Sequence, residues 1–366
     1  MPRLLRTLLA SAALSVLSAP ALGAPAAPAS VSPASDRGVP RLEWRESVVN
    51  TDQSFRGLDA LGPRTGWVAG GSASGGAGGV YRTRDGGRTW LDVTPPGAEG
   101  LLFRDVEVIA PRTAVVLAIG EGEASRVYRT TDNGRTWTEA FRNPDPAAFY
   151  NCVDFYPDGR TGLVVSDSVD GRFRILRSDD AGASWRVLPN DGMPDSTGEF
   201  NFAASGDCLV VSGGTAWFGG GGAQARIFSS RDRGLTWTAT DSTIPAGDAA
   251  GVFGLAVRGR YGVAVGGDFA DPADGADASA YLTRGGWRNG GDLGHLAEDA
   301  AFLFGGHRYL LATGESGDVA GTSWSPDGGR SWIEVGETGF HTLDCTRTSC
   351  WAAGGGGRVA VVALRR

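Results

Sequence analysis

The chain has 366 residues, a formal net charge of −7 and 58 glycines, and all of its 34 basic residues are arginine. An acidic balance argues against nucleic acid as a partner. So much glycine, with no long amphipathic helical period, points to short strands and tight turns.

At the N-terminus Arg3 and Arg6 precede an apolar run from Leu8 to Leu17, and Ala21 and Gly23 flank Leu22. This is the pattern of a secretory signal peptide, 1–23, cut after Gly23. The run is too short to cross a bilayer and no other stretch is longer. The expectation is an exported protein, periplasmic or extracellular, with no transmembrane segment. Residues 24–40 read as a Pro/Ala/Ser linker, and residues 41–366 as one repeating domain.

Leu42–Val49 (LEWRESVV) reads as a strand led by Trp44. After it come FRGLDAL, TGWVAGG and GVYRT, then the turn TRDGGRTW at Thr83–Trp90, then a strand opening with that Trp. The turn returns as Thr130–Trp137, Ser178–Trp185, Ser230–Trp237 and Ser325–Trp332. Its aspartates, Asp85, Asp132, Asp180 and Asp232, follow one another about every 50 residues, and Asp327 lies two periods on. Thr283–Trp287 (TRGGW) fills the gap as a decayed copy without its Asp. A period of this length with several short strands is the signature of propeller blades.

Each residue type has a physical task in such a turn. Asp accepts from backbone N–H groups that the bend leaves unpaired, Gly supplies a positive φ, and Trp offers a large face for packing between blades. Six such units are followed by a seventh, FHTLDC, CWAAGG and GRVAVV, which has only three strands. The Trp44 strand is expected to complete it and close the ring, removing the exposed edges of an open array. The fold class is therefore all-β, a seven-bladed β-propeller closed by its N-terminal strand.

The repeated turn resembles the Asp box, or BNR repeat, of sialidases and of propellers of the photosystem II assembly-factor type. That resemblance covers nearly the whole mature chain and implies a propeller. It leaves function open, because Asp boxes occur in hydrolases and in binding propellers alike.

Ligands are expected on the face where inner strands begin, opposite the turns. There the chain offers Arg56, Arg104 with Asp105, Tyr150 with Asn151, Phe253, Asp299 and His341, while Glu199, Phe200, Asn201 and Phe202 form a candidate lid before the fourth blade. Arg126, Arg174 and Arg226 occupy one equivalent third-strand position. Five arginines, with Asn151 and Asn201, are thus candidates for holding a protein partner or an anionic ligand or glycan; the plainer reading pairs each arginine with a local acid. The alternative is a glycoside hydrolase built on Tyr150, Glu199 and Asp105. The sialidase FRIP signature is absent; Phe173–Leu176 (FRIL) lacks the Pro and falls in the wrong blade.

Four cysteines allow three pairings. Cys345–Cys350 across a hairpin and Cys152–Cys208 between neighbouring inner strands are expected, with free buried thiols as the alternative. Gly219–Gly222 reads as loop, and the three scattered histidines and lack of CxxC give no metal site. No cofactor and a monomeric state are expected.

Overall fold

The computed structural model describes residues 42–364; the expected signal peptide and linker lie outside the described residues. The chain forms seven antiparallel sheets arranged as the blades of a propeller. The innermost strands are Gln53–Ala60, Leu102–Ala110, Tyr150–Phe155, Leu209–Ser212, Ala250–Arg258, Asp299–Phe302 and Thr342–Cys345. Blade 7 is completed by Arg45–Val48, which pairs antiparallel with Arg358–Ala363, Arg45 opposite Val361 and Val48 opposite Arg358. The N-terminal strand therefore closes the ring, and Trp44 seats its ring 5.6 Å from that of Phe340.

The turns between third and outer strands are built alike. In blade 1 the Asp85 carboxylate accepts from the backbone N–H groups of Arg88 and Thr89, both at 3.0 Å, and from the hydroxyls of Thr83 and Thr89 at 2.8 and 2.7 Å. Thr83 Oγ1 in turn accepts from the N–H of Gly87, whose φ of +77° is a conformation that suits glycine. Asp132, Asp180, Asp232 and Asp327 accept the equivalent bonds from Thr136, Ser184, Thr236 and Ser331. Where the Asp is lost, Thr283 takes over a smaller turn, donating to the Gly286 carbonyl and accepting from the Gly285 N–H.

The turn tryptophans mostly precede the outer strands and pack against neighbouring blades. Trp90 meets Trp351 of blade 7, Trp137 meets Trp67 of blade 1, and Trp287 meets Trp217 of blade 4, all edge-to-face. Such pairs add about 0.5–1.5 kcal/mol beyond their burial. Trp137 also donates to the Val93 carbonyl of blade 1. Between the blades lie clusters of fully buried residues such as Val116, Phe103 and Val106, or Leu163, Phe218 and Phe228.

Both expected disulfides are present. Cys345 and Cys350 face each other across the blade 7 hairpin, and Cys152–Cys208 ties blade 3 to the segment entering blade 4. One local expectation fails: Gly221–Gly222, within the glycine run read as loop, forms a short strand between Glu199–Phe200 and Ala250–Arg258. Glycine is needed there, because a Cβ on Gly221 would lie 2.4 Å from the Ala250 carbonyl oxygen.

Deleting residues 42–49 leaves blade 7 with three strands and uncovers an edge along Arg358–Ala363. The melting temperature of the deletion variant should fall by roughly 10 °C or more, measured by circular dichroism; an unchanged value would show that closure contributes nothing.

Candidate functional site

Four inner strands carry a β-bulge near their start. The register steps past Arg56 in blade 1, Arg104 in blade 2, Asn151 in blade 3 and Phe253 in blade 5. A bulge bends the strand and re-aims a side chain, so the residues that the sequence placed at the strand starts occupy one level of the ring. Gly57 and Gly254 follow two of these bulges, and a Cβ on either would come within 3 Å of the next inner strand, at Asp105 or at Glu298 and Asp299.

Arg56 donates to the Glu298 carboxylate and, at 2.6 Å, to the Ala204 carbonyl. His341 Nδ1 lies 2.5 Å from Glu298 Oε2, which also accepts the Glu315 N–H. Glu298 is fully buried. Burial alone would raise its pKa, but the Arg56 guanidinium and His341 hold it below the usual carboxylate range. His341 is lowered by burial and then by Arg56, against the pull of Glu298. Arg104 stands beside this group and is not tied into it. Its Nε is buried without a hydrogen-bond partner, and its side chain forms no ion pair among the described residues. Burial first and then Arg56 bring the Arg104 pKa down to about 9, against the pull of the Glu298 carboxylate nearby.

The other side of the channel is filled from blade 4. The connection 190–208 is welded to blade 5 by the Glu199–Phe200 strand. It then turns inward, and a 3-10 turn at Gly206–Cys208 touches the inner strands of blades 1, 2, 3 and 5. Phe202 and Ala204 pack with Phe253, Phe269 and Leu296. The expected lid is thus a plug, anchored by Arg56 and by the Cys152–Cys208 bridge. Asn151 and Asn201 hold it: the Asn151 side chain and the Asn201 N–H both donate to Asp167 Oδ1 at 3.0 Å, and the Asn201 side chain donates to Gly219 O.

Of the five candidate arginines, the structure brings only Arg56 and Arg104 together. Arg126 pairs with Glu139, Arg174 with Asp145 and Arg226 with Glu199, so the single convergent patch is not formed and the plainer local pairing holds for these three. The hydrolase constellation is not assembled either. Tyr150 Oη is buried with no well-aligned partner, near Arg174, and burial pushes its pKa up to about 12. Glu199 is committed to Arg226. Asp105 accepts the Val153 N–H of the next blade at 2.8 Å.

That last contact belongs to a series. Asp59 accepts from Val108 N, Asp154 from Val211 N, Asp299 from Leu343 N and Asp344 from Ala60 N, each reaching the next inner strand in the ring. With Glu107 and Asp207 they form an acidic layer below the mouth, Asp105 and Asp299 buried and the others half-buried. Burial first, and then mutual repulsion for several of them, raises their pKa values: Asp59 to about 8, Asp154 and Asp299 to about 7, Asp344 to about 6, and Asp105, Glu107 and Asp207 well above the usual range. Sequence reading singled out Asp299 and missed Glu298; adjacent residues of a strand face opposite sides, and only the register shows which acid meets Arg56.

No protein-family model and no curated protein sequence matches the chain. Among solved structures it is similar to YCF48 bound to D1 peptide, at TM-score 0.62 and 14% identity over 89% of this chain and 99% of that one. YCF48 from Cyanidioschyzon merolae aligns at TM-score 0.57 and 16% identity over 87% and 98%. Virginiamycin B lyase from Staphylococcus aureus aligns at TM-score 0.62 and 14% identity over 89% and 100%. Likeness at such identity establishes the propeller fold.

The acidic layer sets a pH dependence. Carboxyls with raised folded-state pKa values bind protons that the unfolded chain has released, so stability falls as pH rises from about 4 to about 8. His295 and His341, both lowered, act oppositely below about 6.5, but they are two groups against seven. The melting temperature should be higher at pH 5 than at pH 8 by several degrees. Asp59→Asn, which keeps an acceptor for Val108 N, should flatten that slope; Asp154→Ala should cost about 1–3 kcal/mol by leaving Val211 N unpaired. A slope of opposite sign in the wild type would show these carboxyls to be ionised.

Proposed function

We propose that this chain is an exported, monomeric, non-catalytic binding propeller that recognises an anionic group on a protein partner, or a small anionic ligand or glycan, at the arginine-bearing mouth of its channel. The observation that carries this reading is Arg104. It is the one arginine of the five candidates that makes no ion pair among the described residues, it sits beside Arg56, and its guanidinium has a buried, unused Nε–H donor in a setting where an incoming carboxylate would be strongly held. Arg56, fixed by Glu298 and the plug carbonyl, supplies a second positive charge that cannot swing away. Asn151, Asn201 and the remaining arginines support the walls of the mouth, and the signal peptide 1–23 delivers the protein outside the cytoplasm, where its two disulfides persist. The YCF48 structure with a bound D1 peptide is a precedent for peptide binding on this fold. The geometry does not favour glycoside hydrolysis, since Glu199 is committed to Arg226, Asp105 to the Val153 N–H, and the Tyr150 hydroxyl has no base bonded to it.

Two measurements on the purified mature protein test the reading. A panel of fluorogenic glycosides, sialosides included, should show no turnover; turnover abolished by Glu199→Gln would replace binding with catalysis. Partners captured from the extracytoplasmic fraction by the wild type should be lost with Arg104→Ala, whose removal of an unpaired guanidinium leaves the fold intact. Equal capture by wild type and Arg104→Ala would remove the mouth from the binding role.

A further inference from the structure

The opposite face, where the Asp turns lie, carries a second arginine with a buried, unpaired Nε. Arg82 sits opposite Trp67 in blade 1, as Arg129 sits opposite Val115 in blade 2 and Arg177 opposite Leu163 in blade 3. In blades 2 and 3 this arginine reaches to the next blade's turn. Arg129 Nε donates to the Ala181 carbonyl at 2.7 Å, and Arg177 Nη1 donates to the Arg233 carbonyl at 3.4 Å while pairing with Asp179. Ala181 and Arg233 hold the positive-φ position of their turns, at 62° and 61°; the equivalent in blade 2 is Asn133, at 63°. Arg82 does not make that bond. Its Nε is buried without a partner and its side chain forms no ion pair among the described residues.

In place of the missing contact there is a cleft of about 370 Å³ between blades 1 and 2, lined by Arg82, Arg84 and Leu61 of blade 1 and by Asn133, Val108 and Pro111 of blade 2. Arg82 lies over the Trp67 ring, with Cζ 5.9 Å from its centroid, which holds the guanidinium in place. Arg84 and Arg135 lie close enough to lower the Arg82 pKa further, after burial, and no carboxylate counters them. In a chain of net negative charge, this is a local excess of positive charge at an apolar-walled cleft of ligand size.

We infer that the cleft between blades 1 and 2 is a binding site for an organic carboxylate with an apolar body, the carboxylate taking the donors of Arg82 that the neighbouring turn leaves unused and the body resting on Leu61, Val108 and Pro111. The site lies at the far end of the blades from the channel mouth and is independent of it.

The test is a titration of the full chain, with its disulfides intact, followed through the Arg82 Nε–H resonance. Benzoate and N-acetylphenylalanine are the probes, one a free aryl acid and the other a peptide-terminus mimic; benzamide and inorganic phosphate are the comparisons. Either acid should give a saturable shift, and benzamide and phosphate should bind about tenfold or more weakly. Arg82→Gln should abolish acid binding, read on the neighbouring Trp67 indole, whereas Arg129→Gln, at the equivalent place in blade 2, should leave it unchanged. Arg84→Gln, an exposed change that does not threaten the fold, should weaken it. No saturable shift, equal binding of benzamide or phosphate, or an equal loss with Arg129→Gln would each overturn the site.

Discussion

A ring of blades presents every innermost strand edge-on to the channel, and the N–H groups along that edge have no sheet partner. An unpaired buried N–H is expensive. Here the next blade's edge is met by a carboxylate from the preceding inner strand, as Asp59 meets Val108, Asp105 meets Val153, Asp154 meets Val211, Asp299 meets Leu343 and Asp344 meets Ala60. One side chain therefore satisfies an orphan donor and ties two blades together. The same arrangement crowds acids into a space of low dielectric, which is why they hold their protons so far above the usual range. Blade-to-blade adhesion and suppressed ionisation are two aspects of one construction.

The arginine chemistry follows from what that layer leaves over. Glu298 is the acid that stays ionised, because Arg56 and His341 both face it. Arg104 finds no such partner. Arg104 and Arg82 stand out among the described arginines because each buries a guanidinium Nε with no hydrogen-bond partner.

Much of the architecture was legible in the residues. The spacing of Asp85 to Asp327, the loss of Asp in Thr283–Trp287 and the three-strand seventh unit led directly to seven blades and to closure by the Trp44 strand, because each of these is a local property repeated in order. The two disulfides followed from strand placement. The site was legible only in part. Strand starts pointed to Arg56, Arg104 and His341, but whether two arginines meet depends on bulges and on the angle between blades, which no local pattern encodes. The pairing of Arg126, Arg174 and Arg226 with nearby acids, the capture of Asp105 by Val153 and the role of Glu298 are properties of register. Arg82 gave no signal at all, since Arg129 and Arg177 occupy the same position in the repeat and differ only in what the next turn offers them.

The connection 190–208 gives the molecule a property that a bare ring would lack. Its 3-10 turn reaches the inner strands of blades 1, 2, 3 and 5 and is bolted to blade 3 at Cys152, so backbone occupies space that a bare ring would leave to solvent. It also separates two kinds of variation: the ring can keep its turns and edges constant for stability, while changes in this one strap reshape the space inside it without any blade having to move.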